Sequence, residues 1–136
     1  MKQWLLSISI FVVALLFCSC NQKGDTENFE FVAINELISH PEKYDGKSVC
    51  TEAIYASGFE TNVIGASTYQ KGSAVYITEP AIWVEGAEII GRHDCFKTDT
   101  VPPAEFCNVR ICGLFEYGEN FGHLGQYKYQ LRADSK

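Results

Sequence analysis

The sequence predicts an all-β domain with one or two short helices, built as a small closed barrel of five main strands. Three observations predict it. Apolar and polar residues alternate with the period of two that a half-buried strand requires. Glycine and proline interrupt these runs at short intervals, as turns between strands do. From residue 29 to the end at 136, no repeat, low-complexity tract or linker divides the chain, so all the strands belong to one domain.

The elements follow in order. Phe29, Phe31 and Ala33 alternate and suit a short first strand. In Ile34-Asn35-Glu36-Leu37-Ile38-Ser39-His40-Pro41, Asn35 can cap a helix whose Ile34, Leu37 and Ile38 share a face. Pro41 either ends that turn or begins the next. Tyr44-Asp45-Gly46-Lys47 is a turn, with glycine available for positive φ. Residues 47–56 read as a strand with Val49, Thr51, Ala53 and Tyr55 on one face and Cys50, Glu52 and Ile54 on the other; Ser57-Gly58 breaks it. Residues 60–69 carry only a weak strand pattern around Gly65. Lys71-Gly72 is a turn, and Glu79-Pro80 separates two β-rich runs, 74–78 and 82–85. Residues 87–91 suit a helical turn or a further strand. Residues 92–105 are polar, hold Pro102-Pro103, and read as a long loop. Residues 108–117 form a strong strand with Val109, Ile111, Gly113 and Phe115 on one side; the glycine-rich 118–125 connects it to a last strand, 127–132.

Composition narrows the function. The chain has 136 residues, 46% hydrophobic and 21% charged, with 11 basic residues against 17 acidic and a formal net charge of −6. That is a globular composition. The acidic balance speaks against nucleic-acid binding, which depends on a basic surface to neutralise phosphates.

The N-terminus has the form of an address. Met1-Lys2-Gln3 is a short basic start, and residues 4–17 are apolar apart from Ser7 and Ser9. A bilayer span needs about 20 apolar residues, whereas this run has the size of a secretory h-region; the other reading is a buried first element of the domain. Leu16-Phe17-Cys18-Ser19-Cys20-Asn21 resembles the lipobox of bacterial lipoproteins, with Cys20 as the modified cysteine and Phe17 departing from the usual leucine. The resemblance implies a signal peptide over 1–19 and a diacylglycerol on Cys20, followed by cleavage and N-acylation with a fatty acid such as palmitate. It implies a protein of the bacterial cell envelope, with the bilayer as its partner through acylated Cys20; Asn21 at the second mature position and the acidic tether suggest the outer membrane. The alternative is plain secretion with Cys20 as a free thiol. Loss of Lys2 leaves 10 basic against 17 acidic residues, a net charge of −7. Residues 20–28 then form a polar tether, and 29–136 the domain.

The stretch Glu36-Leu37-Ile38-Ser39-His40-Pro41-Glu42-Lys43-Tyr44-Asp45-Gly46-Lys47-Ser48-Val49 resembles the opening of many extracytoplasmic OB-fold domains, where a short helix and a turn of this type feed the first barrel strand. The resemblance implies an OB-like barrel and leaves the ligand open, because that fold carries many functions.

Six cysteines are many for this length and suit an oxidising compartment. With Cys18 removed and Cys20 lipidated, Cys50, Cys95, Cys107 and Cys112 remain, and four cysteines allow three pairings. Pairing Cys95 with Cys107 would staple the proline-rich loop. Cys50 and Cys112 would then join the first main strand to the fourth, neighbours in an OB barrel, and Cys95–Cys107 with Cys50–Cys112 is the expected pairing. A metal reading uses His93, Cys95 and His123, with Cys107 and Cys112, all ligand types for zinc or copper. Its spacing is irregular and lacks Cys-x-x-Cys, so no metal and no cofactor are expected. A redox pair fares no better, since Cys107 and Cys112 fall on opposite strand faces.

No nucleophile elbow, zinc-protease motif, phosphate loop or dinucleotide fingerprint occurs. His93-Asp94 could orient an imidazole for base chemistry, but adjacent polar loop residues are ordinarily just solvated, so no catalytic residue is expected. Aromatic residues suggest a ligand surface instead. Tyr55, Tyr76 and Trp83, with Tyr69 and Tyr117, can line a barrel face, or belong in part to the core. The charges near them are Lys71 but also Glu52, Glu60, Glu79 and Glu85, which suits a protein, peptide or glycan better than an anionic polymer. The expectation is a non-enzymatic, membrane-anchored binding or assembly module; the alternative is an envelope lipoprotein that handles metal, haem or thiols.

Overall fold

The structure, a computed structural model, describes residues 28–133. The expected signal peptide and Cys20, with the tether as far as residue 27, lie outside the described residues.

The domain is all-β with two short helices. Its strands are β1 (Glu30–Phe31), β2 (Lys47–Gly58), β3 (Thr61–Gly65), β4 (Thr68–Lys71), β5 (Ala74–Ile77), β6 (Ile82–Glu85), β7 (Glu88–Lys97), β8 (Glu105–Phe121) and β9 (Tyr127–Arg132). The helices are α1 (Ile34–Ser39) and α2 (Pro41–Tyr44). Five strands pair in a cycle: β2 with β3, β3 with β6, β6 with β9, β9 with β8, and β8 back to β2. The β3–β6 junction rests on two residue pairs, and the parallel β6–β9 junction on three. The closed five-stranded barrel expected from sequence is therefore a partial ring and not a clean barrel. β1 adds in parallel to β2, and β7 adds to β8, outside the cycle.

Local chemistry explains most of these elements and corrects three expectations. Asn35 does not cap α1; the cap is Ala33, whose carbonyl accepts from the Glu36 and Leu37 amides, while the Asn35 carbonyl accepts from Ser39 Oγ at 2.7 Å. Pro41 opens α2 at its first position, where its missing N–H costs nothing. β2 runs through Ser57 and ends at Gly58, which pairs with Thr61 across a two-residue turn. The expected loop over 92–105 shrinks to 98–104, because residues 88–97 are a strand paired with β8. As an edge strand β7 is wet along most of its length, so it lacks the apolar alternation that marks a half-buried strand.

The core fills the ring. Val49, Ile64, Ile82, Val109, Ile111, Phe115 and Leu131 are all buried there, and Leu37 of α1 and Tyr44 of α2 pack against them. A second cluster lies on the outer side of the ring, because its residues alternate with inward-facing ones along the same strands. It comprises Ala56, Val63, Ala81 and Phe106, with Ile77 from the β4–β5 hairpin. Burying each valine, leucine, isoleucine or phenylalanine of these clusters stabilises by about 1.5–3 kcal/mol.

Both expected disulfides are present. Cys50 and Cys112 are direct cross-strand partners in β2 and β8, with Cα atoms 4.1 Å apart. Cys95 bonds Cys107 where the β7–β8 register shifts between His93 and Phe96.

Candidate functional site

The outer cluster forms the floor of a cleft of about 350 Å³. Ala56, Val63, Ala81 and Phe106 line it from below and are buried. The β4–β5 hairpin supplies one wall. Its cross-strand pair Tyr69 and Tyr76 stacks with ring centroids 5.4 Å apart, and the two residues are 49% and 45% exposed. That is the arrangement of a platform rather than of core aromatics. The 98–104 connection supplies another wall. It is fixed by its own hydrogen bonds: the Thr98 amide donates to the Ala104 carbonyl at 2.9 Å, and the Ala104 amide to Thr98 Oγ1 at 3.0 Å.

Tyr127 and Glu79 also line the cleft. Tyr127 is held by Trp83, whose ring packs against it at 5.4 Å. Burial pushes the Tyr127 hydroxyl above its ordinary range, and the negative charge of Glu79 adds to the shift. Glu79 is oriented by the Ala81 amide, which donates to its Oε2 at 2.9 Å. Among the described lining residues it is the one that carries a formal charge. No Lys, Arg or His among the described residues forms an ion pair with it.

Of the aromatic residues singled out from sequence, Tyr76 lines this cleft, with Tyr69 beside it. Tyr55 and Trp83 stand outside its lining. The Tyr55 hydroxyl donates to Asn62 Oδ1 at 2.5 Å, and Asn62 in turn donates to the Val84 carbonyl. The Arg92 guanidinium lies over the Tyr55 ring at 5.9 Å. Burial raises the Tyr55 hydroxyl, and Arg92 opposes that shift. Trp83 donates from Nε1 to Glu85 Oε2 at 2.8 Å. Tyr117 packs on Tyr129 at 5.7 Å, against the ring core. Sequence reasoning missed Tyr127 and Phe106 as site residues; each lies near a strand start, and only the pairing of distant strands brings them to the hairpin.

The residues of the metal reading are dispersed. The Cys95 sulfur is bonded to Cys107. His93 faces Asp94 at 3.9 Å and lines a separate shallow groove with Glu52 and Asn108. His123 pairs with Glu60 at 3.3 Å. Among the described residues no group of three or more His, Cys, Asp or Glu side chains could hold a metal ion.

Comparison with family models, with curated proteins and with solved structures finds no match. Among the described residues, no helix is long and apolar enough to cross a membrane. The cleft and the N-terminal motif therefore carry the functional reading.

Proposed function

We propose that this chain is a lipid-anchored extracytoplasmic binding module, held to the envelope through Cys20 and acting without catalysis. The observation that carries the binding half is the cleft between the outer face of the ring and the β4–β5 hairpin. It combines an apolar floor, exposed stacked tyrosines and no basic side chain among its described lining residues. Its volume of about 350 Å³ suits a small ligand or a short stretch of a larger one. A peptide or glycan can place apolar or ring surfaces on Tyr69 and Tyr76, as aromatic side chains at binding surfaces commonly do. An anionic polymer finds no counter-charge there. The resemblances to a lipobox and to an OB-fold opening support the same reading.

The test uses the soluble domain, residues 28–136, and the neutral fluorophore N-phenyl-1-naphthylamine. Saturable fluorescence enhancement is expected. Ala74→Trp, at the rim of the cleft, should abolish it without lowering the midpoint of thermal unfolding. Equal enhancement in the variant would overturn the assignment of the cleft.

A further inference from the structure

Resting on the reading of the cleft as a ligand site, we infer that it selects a small organic cation: an ammonium group carried on an apolar body, with Glu79 as counter-ion and the tyrosines as walls. Three observations carry this. First, Glu79 is the charged side chain among the described lining residues, and no cation within the described chain pairs with it. The Ala81 amide donates to its Oε2, and the side chain is exposed, so the carboxylate is within reach of a ligand in the cleft. Second, Tyr69, Tyr76 and Tyr127 line the same cleft, so three electron-rich rings bound the space that holds one negative charge. Rings and carboxylate both attract a cation, the rings through their quadrupoles. The Glu79 charge is felt at the Tyr127 hydroxyl, which places the carboxylate and that ring in one electrostatic environment. Third, the floor beneath them is apolar and buried, formed by Ala56, Val63, Ala81 and Phe106. It matches an alkyl or aryl body and rejects a hydrated inorganic ion. The cleft volume, about 350 Å³, lies at the small end of the range for small-molecule sites.

The experiment titrates the soluble domain with four probes, followed by backbone amide shifts of Tyr76, Phe106 and Tyr127. Phenylethylammonium, 2-phenylethanol and phenylacetate carry the same phenyl ring on a two-carbon chain and differ in charge; N-acetyl-lysine-N-methylamide presents the same cation from a peptide backbone. The ammonium should bind about tenfold more tightly than the alcohol, the scale of one well-placed cation–ring contact, and phenylacetate more weakly than either. Glu79→Gln keeps an acceptor for the Ala81 amide and should erase the preference for the cation while leaving the alcohol's affinity unchanged. Equal affinity for cation and alcohol in the wild-type chain overturns the cation inference while leaving the cleft as a site. Tighter binding of the lysine derivative overturns the small-molecule occupant in favour of a protein segment. No shift with any probe overturns both the inference and the reading beneath it. Retained cation preference in Glu79→Gln removes Glu79 from the role.

Discussion

Thr51 shows what a single atom contributes to this fold. It is 0% exposed and points into the ring, and among the described residues its hydroxyl has no hydrogen-bond partner. A buried hydroxyl without a partner loses its water and gains nothing in return. Thr51→Val keeps the branched shape and removes that cost, so the domain should gain about 1 kcal/mol, read as a higher urea midpoint at unchanged slope. A lower midpoint would mean that the hydroxyl is satisfied. Glu36 is the opposite case, a side chain with several partners. Its carboxylate accepts from Lys43 Nζ and the Tyr44 hydroxyl, both at 3.1 Å, and lies 3.2 Å from His40 Nδ1. The bond from Lys43 first, and that from Tyr44 next, hold it below the ordinary carboxylate range. A lowered folded value means the contribution is present above the ordinary range, about pH 4.3, and is lost as pH falls through the folded value. Thermal midpoints of wild type and Glu36→Gln should therefore converge as pH drops below about 4 and separate above it. A constant gap across that window would count against the pairing. At this scale sequence is an uneven guide. The faces of Cys50 and Cys112 followed from strand parity, whereas the meeting of Glu79 with Tyr127 depends on which strands adjoin.

The strands show the same unevenness at the scale of elements. β9, over 127–132, and the inward set Val109, Ile111, Gly113 and Phe115 of β8 were legible because each follows a clean period of two. β7 was not. It lies at the sheet edge, where charged and polar side chains are tolerated on both faces, so its sequence carries no burial signal. The true length of β8, 17 residues, was hidden for a related reason: its ends serve different partners, β7 and β9, whose pairing is not written in its own pattern. The two disulfides brace these pairings unequally. Cys95–Cys107 spans 12 positions and Cys50–Cys112 spans 62. In the chain-entropy view a cross-link stabilises by restricting the unfolded chain, by about 3 kcal/mol for the short loop and about 4 for the long one. Urea unfolding of Cys95→Ala/Cys107→Ala and of Cys50→Ala/Cys112→Ala should rank in that order, with the second pair costing more. The reverse order would show that the β7–β8 link supports the native edge rather than limiting the unfolded chain.

At the scale of the whole molecule, net charge and the proposed anchor pull in opposite directions. The chain carries a net charge of −6, and the proposed cleavage before Cys20 would remove Lys2 and leave 10 basic and 17 acidic residues, a net charge of −7. Such a domain is repelled by an anionic bilayer surface, so its own surface contributes no attraction. In the proposed reading, retention at the membrane rests on the acyl chains on Cys20. A single chain gives only marginal, reversible binding, with an association constant of about 10⁴ M⁻¹; two or more on one residue hold the protein firmly. These terms respond differently to salt. Apolar burial of acyl chains is insensitive to moderate ionic strength, whereas a charge-based attachment weakens as the Debye length shortens, from about 10 Å at 0.1 M to about 3 Å at 1 M. Expressed with its full N-terminus in a bacterium that processes lipoproteins, the wild-type protein should sediment with membranes at both salt concentrations and enter the detergent phase on Triton X-114 partitioning. Cys20→Ser should move it to the soluble fraction at both, with the cross-linked domain still folded. Salt-dependent release of the wild type would assign its attachment to charge, and a membrane-bound Cys20→Ser protein would place the anchor elsewhere in the chain.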